Sequence, residues 1–316
     1  MLDWTDRHCR YFHRLLTRRA WLYSEMVTTG ALLHGDVARH LRFDAAEQPV
    51  ALQLGGSESA DLAQCAQLAQ QWGYREVNLN CGCPSPRVQR GAFGACLMTQ
   101  PTLVADGIKA MQDAVSIPVT VKHRIGLDKE ESYDFVRDFV GTVSQAGCRT
   151  FIVHARNAWL NGLSPKDNRT VPPLRYEWVY QLKRDFPGLE IVLNGGVVNS
   201  DQIETHLRHV DGVMVGREAY HRPWWLSEWD DRFWPDQVKV DDAIRTRDTV
   251  EQQMVAYMVE QARLDDAHWL SIARHLLGLR HGQSGARQWR RVWSDHQLKH
   301  MTPDCVLALI NKLATP

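Results

Sequence analysis

The runs EVNLNCG (76–82), PVTVKHRIG (118–126), TFIVHAR (150–156) and EIVLNGG (190–196) decide the fold. Each is short, rich in β-branched residues and bounded by Gly, Pro or polar residues, which is how a buried parallel strand reads. WLYSEMV (21–27) and VALQLGG (50–56) precede them and GVMVGRE (212–218) follows. The stretches between, over 57–72, 101–114, 131–146 and up to 182–185, carry helical periodicity. Strand and helix in alternation predict an α/β chain built on a parallel sheet. Seven strands are visible and an eighth is implied, so the predicted fold is a (β/α)8 TIM barrel. The chain passes from Met1-Leu2-Asp3 straight into a helical pattern over 5–16, so Met1 and Leu2 are read as the tail of a truncated first strand. A doubly wound open sheet competes with the barrel, but no GxGxxG follows the first strand.

Beyond Gly216-Arg217 the pattern changes. Residues 223–236, PWWLSEWDDRFWPD, are Trp-rich and end in a Pro-containing linker. From 241 onward no strand pattern appears, and helical windows cover 243–262, 268–279, 286–293 and 303–313. The expected organisation is a barrel domain over 1–236 and a helical domain over 241–316. A chain of 316 residues suits one large barrel with an appendage.

Composition narrows the function. An apolar share of 44% excludes a chain disordered throughout. Lys+Arg and Asp+Glu both number 37, which excludes a globally basic nucleic-acid binder but leaves room for a local basic patch. No run approaches roughly 18 apolar residues, so no membrane span is expected. The opening MLDWTDRHCR is charged and is not a signal peptide. Cysteines at 9, 65, 81, 83, 96, 148 and 305 are odd in number and scattered, which reads as reduced thiols of a cytoplasmic protein. Cys81 and Cys83 lack a second Cys/His pair at zinc spacing, so no metal is expected.

Barrel enzymes work at the C-terminal ends of their strands. Here those ends carry Gln53; Asn78, Asn80 and Cys83; Lys122 and Arg124; His154 and Arg156; Asn194-Gly195-Gly196; and Gly216-Arg217. The last two groups suit a phosphate site, where glycine N–H groups approach phosphate oxygens and Arg217 adds a charged fork. A phosphate there implies a phosphorylated substrate or a flavin mononucleotide. Lys122 beside His154 could stabilise an anionic reduced flavin, and Gln53 could bond the ring's amide edge. Asn78 and Asn80 share one strand face towards the mouth. Residues 91–98, GAFGACLM, read as a Gly-broken loop able to act as a lid.

NLNCGCPSPRVQRGAFGACLM (78–98), VKHRIG (121–126), HARNAWLNGLSPKDNRTVPPL (154–174), LNGG (193–196) and VGR (215–217) together resemble the tRNA-dihydrouridine synthases. The likeness is greatest to the A branch, which reduces uridines 20 and 20a in the tRNA D-loop, and it runs over nearly the whole chain. The resemblance implies an FMN-binding TIM barrel followed by a helical tRNA-binding domain, NADPH as reductant, and a monomer. It makes Cys83 the general acid and puts FMN contacts on Met1, Gln53, Lys122, His154, Asn194, Gly196, Gly216 and Arg217. It makes Asn80 the holder of the target base. The family's APM motif closes its first strand; this sequence begins at that Met. The implied chemistry passes hydride from flavin N5 to uracil C6, with a proton from Cys83 to C5. An ordinary thiol, with a pKa of about 8.5, is still mostly protonated near neutral pH and suits that role. The base must leave its stack to reach a barrel mouth.

The RNA surface should be local. Between residues 274 and 299 the cations are Arg274, Arg280, Arg287, Arg290, Arg291 and Lys299, against Asp295 alone. Arg287, Arg290 and Arg291 fall at i, i+3 and i+4 on one helix face. Lys166 and Arg169 form a second basic element, and phosphate contacts from both would position tRNA. Two other readings compete: a flavin reductase of a free small molecule, which needs no basic tail, and an RNA-binding protein without catalysis.

Overall fold

A computed structural model describes residues 1–237, 245–265 and 267–314. The seven predicted runs form seven strands: β1 (Leu22–Thr28), β2 (Val50–Gly55), β3 (Glu76–Cys81), β4 (Val119–His123), β5 (Thr150–His154), β6 (Glu190–Asn194) and β7 (Gly212–Met214). They lie in one parallel sheet in chain order. One-step parallel order with crossover helices is the TIM-barrel arrangement, as the sequence predicts. Met1 and Leu2, read as the tail of a first strand, adopt no strand conformation; two residues are too few to hold a ladder.

The crossover helices are cut out by local signals. Ser132 caps the helix Tyr133–Gln145 by accepting from Phe135 N at 3.1 Å, and Val136, Phe139, Val140 and Val143 form its buried stripe. Pro101 opens Pro101–Ala114, where its missing N–H costs nothing. Asn199 caps Ser200–Leu207 through Gln202 N at 2.9 Å. The segment read as a Gly-broken lid follows a short helix over Pro86–Arg90, and its second half is ordered into a 3-10 helix over Gly94–Thr99. Ala95, Leu97 and Met98 in it are buried, and Ala95 joins Leu127 and Ala158 in one apolar cluster.

The chain divides into two compact units. The first comprises Met1–Leu2, Trp21–Phe43 and Gln48–Gly216 and holds all seven strands. The second comprises Asp3–Ala20, Asp44–Glu47 and the chain from Arg217. We call its helices α1 (Arg7–Leu16), α2 (Arg247–Asp265), α3 (Ala286–Trp293) and α4 (Pro303–Ala314). Asp6 caps α1 by accepting from Cys9 N at 3.0 Å. Helix α1 then meets α2 through His8 Nδ1 and Tyr257 Oη at 2.9 Å and through Tyr11 stacked on Tyr257. The expected domain start at 241 and the opening of the 243–262 helical window lie outside the described residues.

Candidate active site

Strand β3 alternates Glu76, Asn78 and Asn80 with Val77, Leu79 and Cys81, and all six are buried. Barrel interiors are usually filled by branched apolar side chains. Three polar residues in a row on one face must therefore find partners inside the barrel. They find them on the flanking strands. Asn80 Nδ2 donates to Gln53 Oε1 on β2 at 2.8 Å, and Gln53 Nε2 donates to Asn78 Oδ1 at 2.8 Å. Asn78 Nδ2 donates to Thr120 Oγ1 on β4 at 2.8 Å, and Thr120 donates to Glu76 Oε1 at 2.6 Å. Tyr23 Oη on β1 donates to the same carboxylate oxygen at 2.8 Å. Burial raises the Glu76 pKa, while its bonds from Thr120 and Tyr23 oppose that rise.

The upper end of this row is the turn after β3. Asn80 Oδ1 accepts from the backbone N–H of both Gly82 and Cys83 at 3.0 Å. The carbonyl of Cys83 accepts from Ala95 N at 2.9 Å. At Gly94, whose φ is +77°, a Cβ would sit 2.6 Å from Cys83 O, so only glycine fits. Cys83 is thus held on both sides of its peptide, with Sγ 3.6 Å from Ser85 Oγ. It is half-buried, whereas Cys81 is fully buried and burial pushes its thiol well above the ordinary range. Cys96 Sγ lies 3.1 Å from Phe93 O.

Asn80 pairs in register with Lys122 on β4. Lys122 Nζ donates to Asn194 Oδ1 on β6 at 3.1 Å, and Asn194 Nδ2 donates to Met214 O at 2.8 Å. Burial pulls the Lys122 pKa down to about 7, with Arg124 adding to the shift. Among the described residues no carboxylate pairs with Lys122. His154 pairs in register with Asn194, and a Cβ on Gly195 would fall 2.6 Å from its imidazole. Gly195 and Gly196 have φ of +115° and +73°, and Tyr176 Oη donates to Gly195 O at 2.8 Å. Met1 Sδ lies 3.7 Å from where a Cβ on Gly216 would stand.

The loop after β5 is built on Asn168, which sequence reasoning missed. Its buried amide bonds Trp159 N and O at 2.7 and 2.8 Å, while Arg124 Nη1 donates to its carbonyl at 2.8 Å. This knot carries Lys166 and Arg169, both exposed, on its outside. Glu76 and Thr120 were also missed, although the E-x-N-x-N alternation of β3 was a usable signal.

In the second unit, Arg217 opens a short helix, Arg217–His221. Helix α3 turns Trp289, Val292 and Trp293 inward and leaves Arg287 and Arg291 exposed and Arg290 half-buried. No carboxylate pairs with these three arginines among the described residues. The wider basic run is less free than its sequence suggests. Arg274 pairs with Asp6 at 2.6 Å, and Arg280 with Asp248 and Glu251, both at 2.5 Å. Those acids come from distant parts of the chain, so a local charge count overlooks them. Among the described residues no cluster of three or more His, Cys, Asp or Glu could hold a metal, and no helix is long and apolar enough to cross a membrane.

Comparison with known proteins identifies relatives along the chain. A family model described as Dihydrouridine synthase (Dus) matches residues 1–313. A tRNA-dihydrouridine(20/20a) synthase of Pseudomonas putida is 56% identical over 294 residues, 93% of this chain and 86% of that protein. One of Yersinia pestis is 56% identical over 300 residues, 95% of this chain and 85% of that protein. Among solved structures, a 2-naphthoyl-CoA reductase complex superposes with a TM-score of 0.56 at 11% identity, over 75% of this chain and 48% of that one. At that identity the likeness concerns the fold alone.

Proposed function

Because this chain belongs to the dihydrouridine synthase family, we propose that it reduces uridine to 5,6-dihydrouridine at positions 20 and 20a of the tRNA D-loop. The observation that carries this reading is the joining of Gln53, Asn80 and the Cys83 turn at the strand ends, with Lys122 in register beside Asn80. FMN, recharged by NADPH, would supply the hydride to uracil C6. The residues present suit that group. Lys122 is a cation with an amide partner and no counter-carboxylate among the described residues, ready to face an anionic ring edge. Gln53 offers its amide, and Met1, His154, Asn194, Gly195, Gly196 and Gly216 complete the barrel's share of the contacts. The resemblance gives Arg217, one residue beyond Gly216, a phosphate contact.

Cys83 donates the proton to C5. Its backbone is pinned by Asn80 and Ala95, so the thiol is presented from a fixed turn. The buried Cys81 serves only packing. Asn80 holds the target base. On the helical unit, Arg287 and Arg290 contact tRNA phosphates, and Lys166 and Arg169 do so on the barrel unit. The protein works in the cytoplasm as a monomer. A flavin reductase of a free small molecule would leave the exposed arginines of α3 without a task.

The test is direct. The purified protein should be yellow and, with NADPH, should convert unmodified transcript tRNA to dihydrouridine at those two positions. Cys83→Ala should keep the flavin and NADPH oxidation but lose most uridine reduction, while Cys81→Ala and Cys96→Ala stay much closer to wild type. A colourless protein, or an active Cys83→Ala, would refute the reading.

A further inference from the structure

The hydrogen bonds inside the barrel admit only one direction. Backbone N–H groups can only donate, so the atom of Asn80 facing Gly82 and Cys83 must be its oxygen. Its nitrogen therefore faces Gln53, which must present Oε1. The nitrogen of Gln53 then faces Asn78, which must present Oδ1, and the nitrogen of Asn78 faces the Thr120 hydroxyl. Thr120 accepts there, so its own proton goes to Glu76, which also takes the Tyr23 proton on the same oxygen. The row starts on groups that only donate and ends on a carboxylate oxygen that accepts twice. Both ends enforce the same order, and each bond polarises the next.

We propose that Glu76 and Thr120, which lie away from the barrel mouth, are positioning residues that lock the side-chain amides of Gln53 and Asn80 in one orientation. The proposal rests on the reading of Asn80 as the holder of the target base. An amide nitrogen carries two hydrogens, and the row uses one on each residue. Asn80 and Gln53 are thereby left with one N–H apiece to offer a ligand, while the Asn80 oxygen is taken up by two backbone donors. Such a mouth presents donors. It suits the carbonyl oxygens of a uracil or an isoalloxazine edge and disfavours the 4-amino group of cytosine, which would set donor against donor. The lock thus makes the mouth selective for the dione form of a pyrimidine.

Thr120→Val tests this in the purified holoenzyme. It keeps the side-chain shape but deletes the link between Asn78 and Glu76, so Asn78 loses its lower anchor and the row is held from the Asn80 end alone. Three quantities are read: tRNA affinity, the single-turnover rate at which tRNA reoxidises the reduced flavin, and the visible absorption of the bound flavin. The expected result is unchanged tRNA affinity, a rate lowered about tenfold or more, and a shifted flavin band, with Thr120→Ser restoring both rate and band. A folded Thr120→Val with wild-type rate and band would overturn the proposal, because the row would then be only structural. If Thr120→Val fails to fold, Asn78→Leu cuts the row one link higher and is judged on the same readouts. A wild type that leaves tRNA unreduced would refute the enzyme's assigned reaction instead, and the flavin band of Thr120→Val would still decide whether the lock exists.

Discussion

Glu251 should be among the most costly residues to remove from the helical unit. It is 1% exposed, and its Oε1 accepts the indole N–H groups of both Trp289 and Trp293 at 2.7 Å. Its Oε2 accepts from Arg280 at 2.5 Å, and that guanidinium lies 5.6 Å from the Trp289 ring centroid. Glu251→Leu strands two buried indole donors at once, at about 1–2 kcal/mol each. Arg280 keeps Asp248, so its own loss is smaller. The expected destabilisation is about 3 kcal/mol, at the lower edge of what breaking a buried ion pair costs. Glu251→Gln retains an oxygen for the indoles and should lose only about 1 kcal/mol. Urea titration followed by tryptophan emission measures both, since two of the affected groups are themselves fluorophores. A loss below about 1 kcal/mol for Glu251→Leu would mean that the carboxylate is not what holds α3 against α2.

Replacing both Arg287 and Arg290 with alanine should weaken tRNA binding and lower the slope of log K against log salt by roughly 0.7–0.9 for each phosphate left without its cation, with flavin content unchanged; an unaltered slope would move the RNA surface elsewhere. Burial brings the Lys122 ammonium down to about 7, so it is largely neutral above neutral pH, and in the proposed flavin site it would take up a proton when the ring is reduced. The flavin midpoint potential, followed by spectroelectrochemistry, should therefore steepen by about 30 mV per pH unit above pH 7, and Lys122→Met should abolish the steepening. His123 is buried against Phe139 and Phe151, donates from Nδ1 to Arg124 O at 2.6 Å, and is pushed down by burial to about 4. The unfolded imidazole takes up its proton near 6.5 and the folded one only near 4, so stability falls as pH drops through that window. His123→Asn should flatten that fall by up to one proton in a denaturation series.

The strands were legible because β-branched runs between Gly and Pro have few other readings. Their ends were less so: PVTVKHRIG yields strand only over Val119–His123, since pairing with β5 stops at His123↔Val153. Gln53, Asn80 and Lys122 could be picked out by their places at strand ends, because the ends of barrel strands are where polar residues have work. What joins them could not. The link from Asn78 through Thr120 to Glu76 depends on register between strands, which one strand's pattern does not contain. The pairing of Arg274 with Asp6 spans 268 positions, so no local window holds both. Helix α1 was recognisable as a helix, but its partnership with α2 rests on His8, Tyr11 and Tyr257, which nothing in the local pattern connects.

The single direction of the barrel's hydrogen-bond row has an evolutionary consequence. Reversing one amide sets donor against donor above it and acceptor against acceptor below, and the backbone donors at the top forbid the whole row from turning together. Residues 53, 76, 78, 80 and 120 should therefore drift as a block. A descendant lineage that came to read a different base could not reach it by exchanging Asn80 alone. It would have to cross a stretch of poorly folding intermediates or rebuild the interior from Glu76 upward. Outward-facing residues such as Arg287 and Arg291 carry no such linkage, so they can change one at a time while the interior row stays fixed.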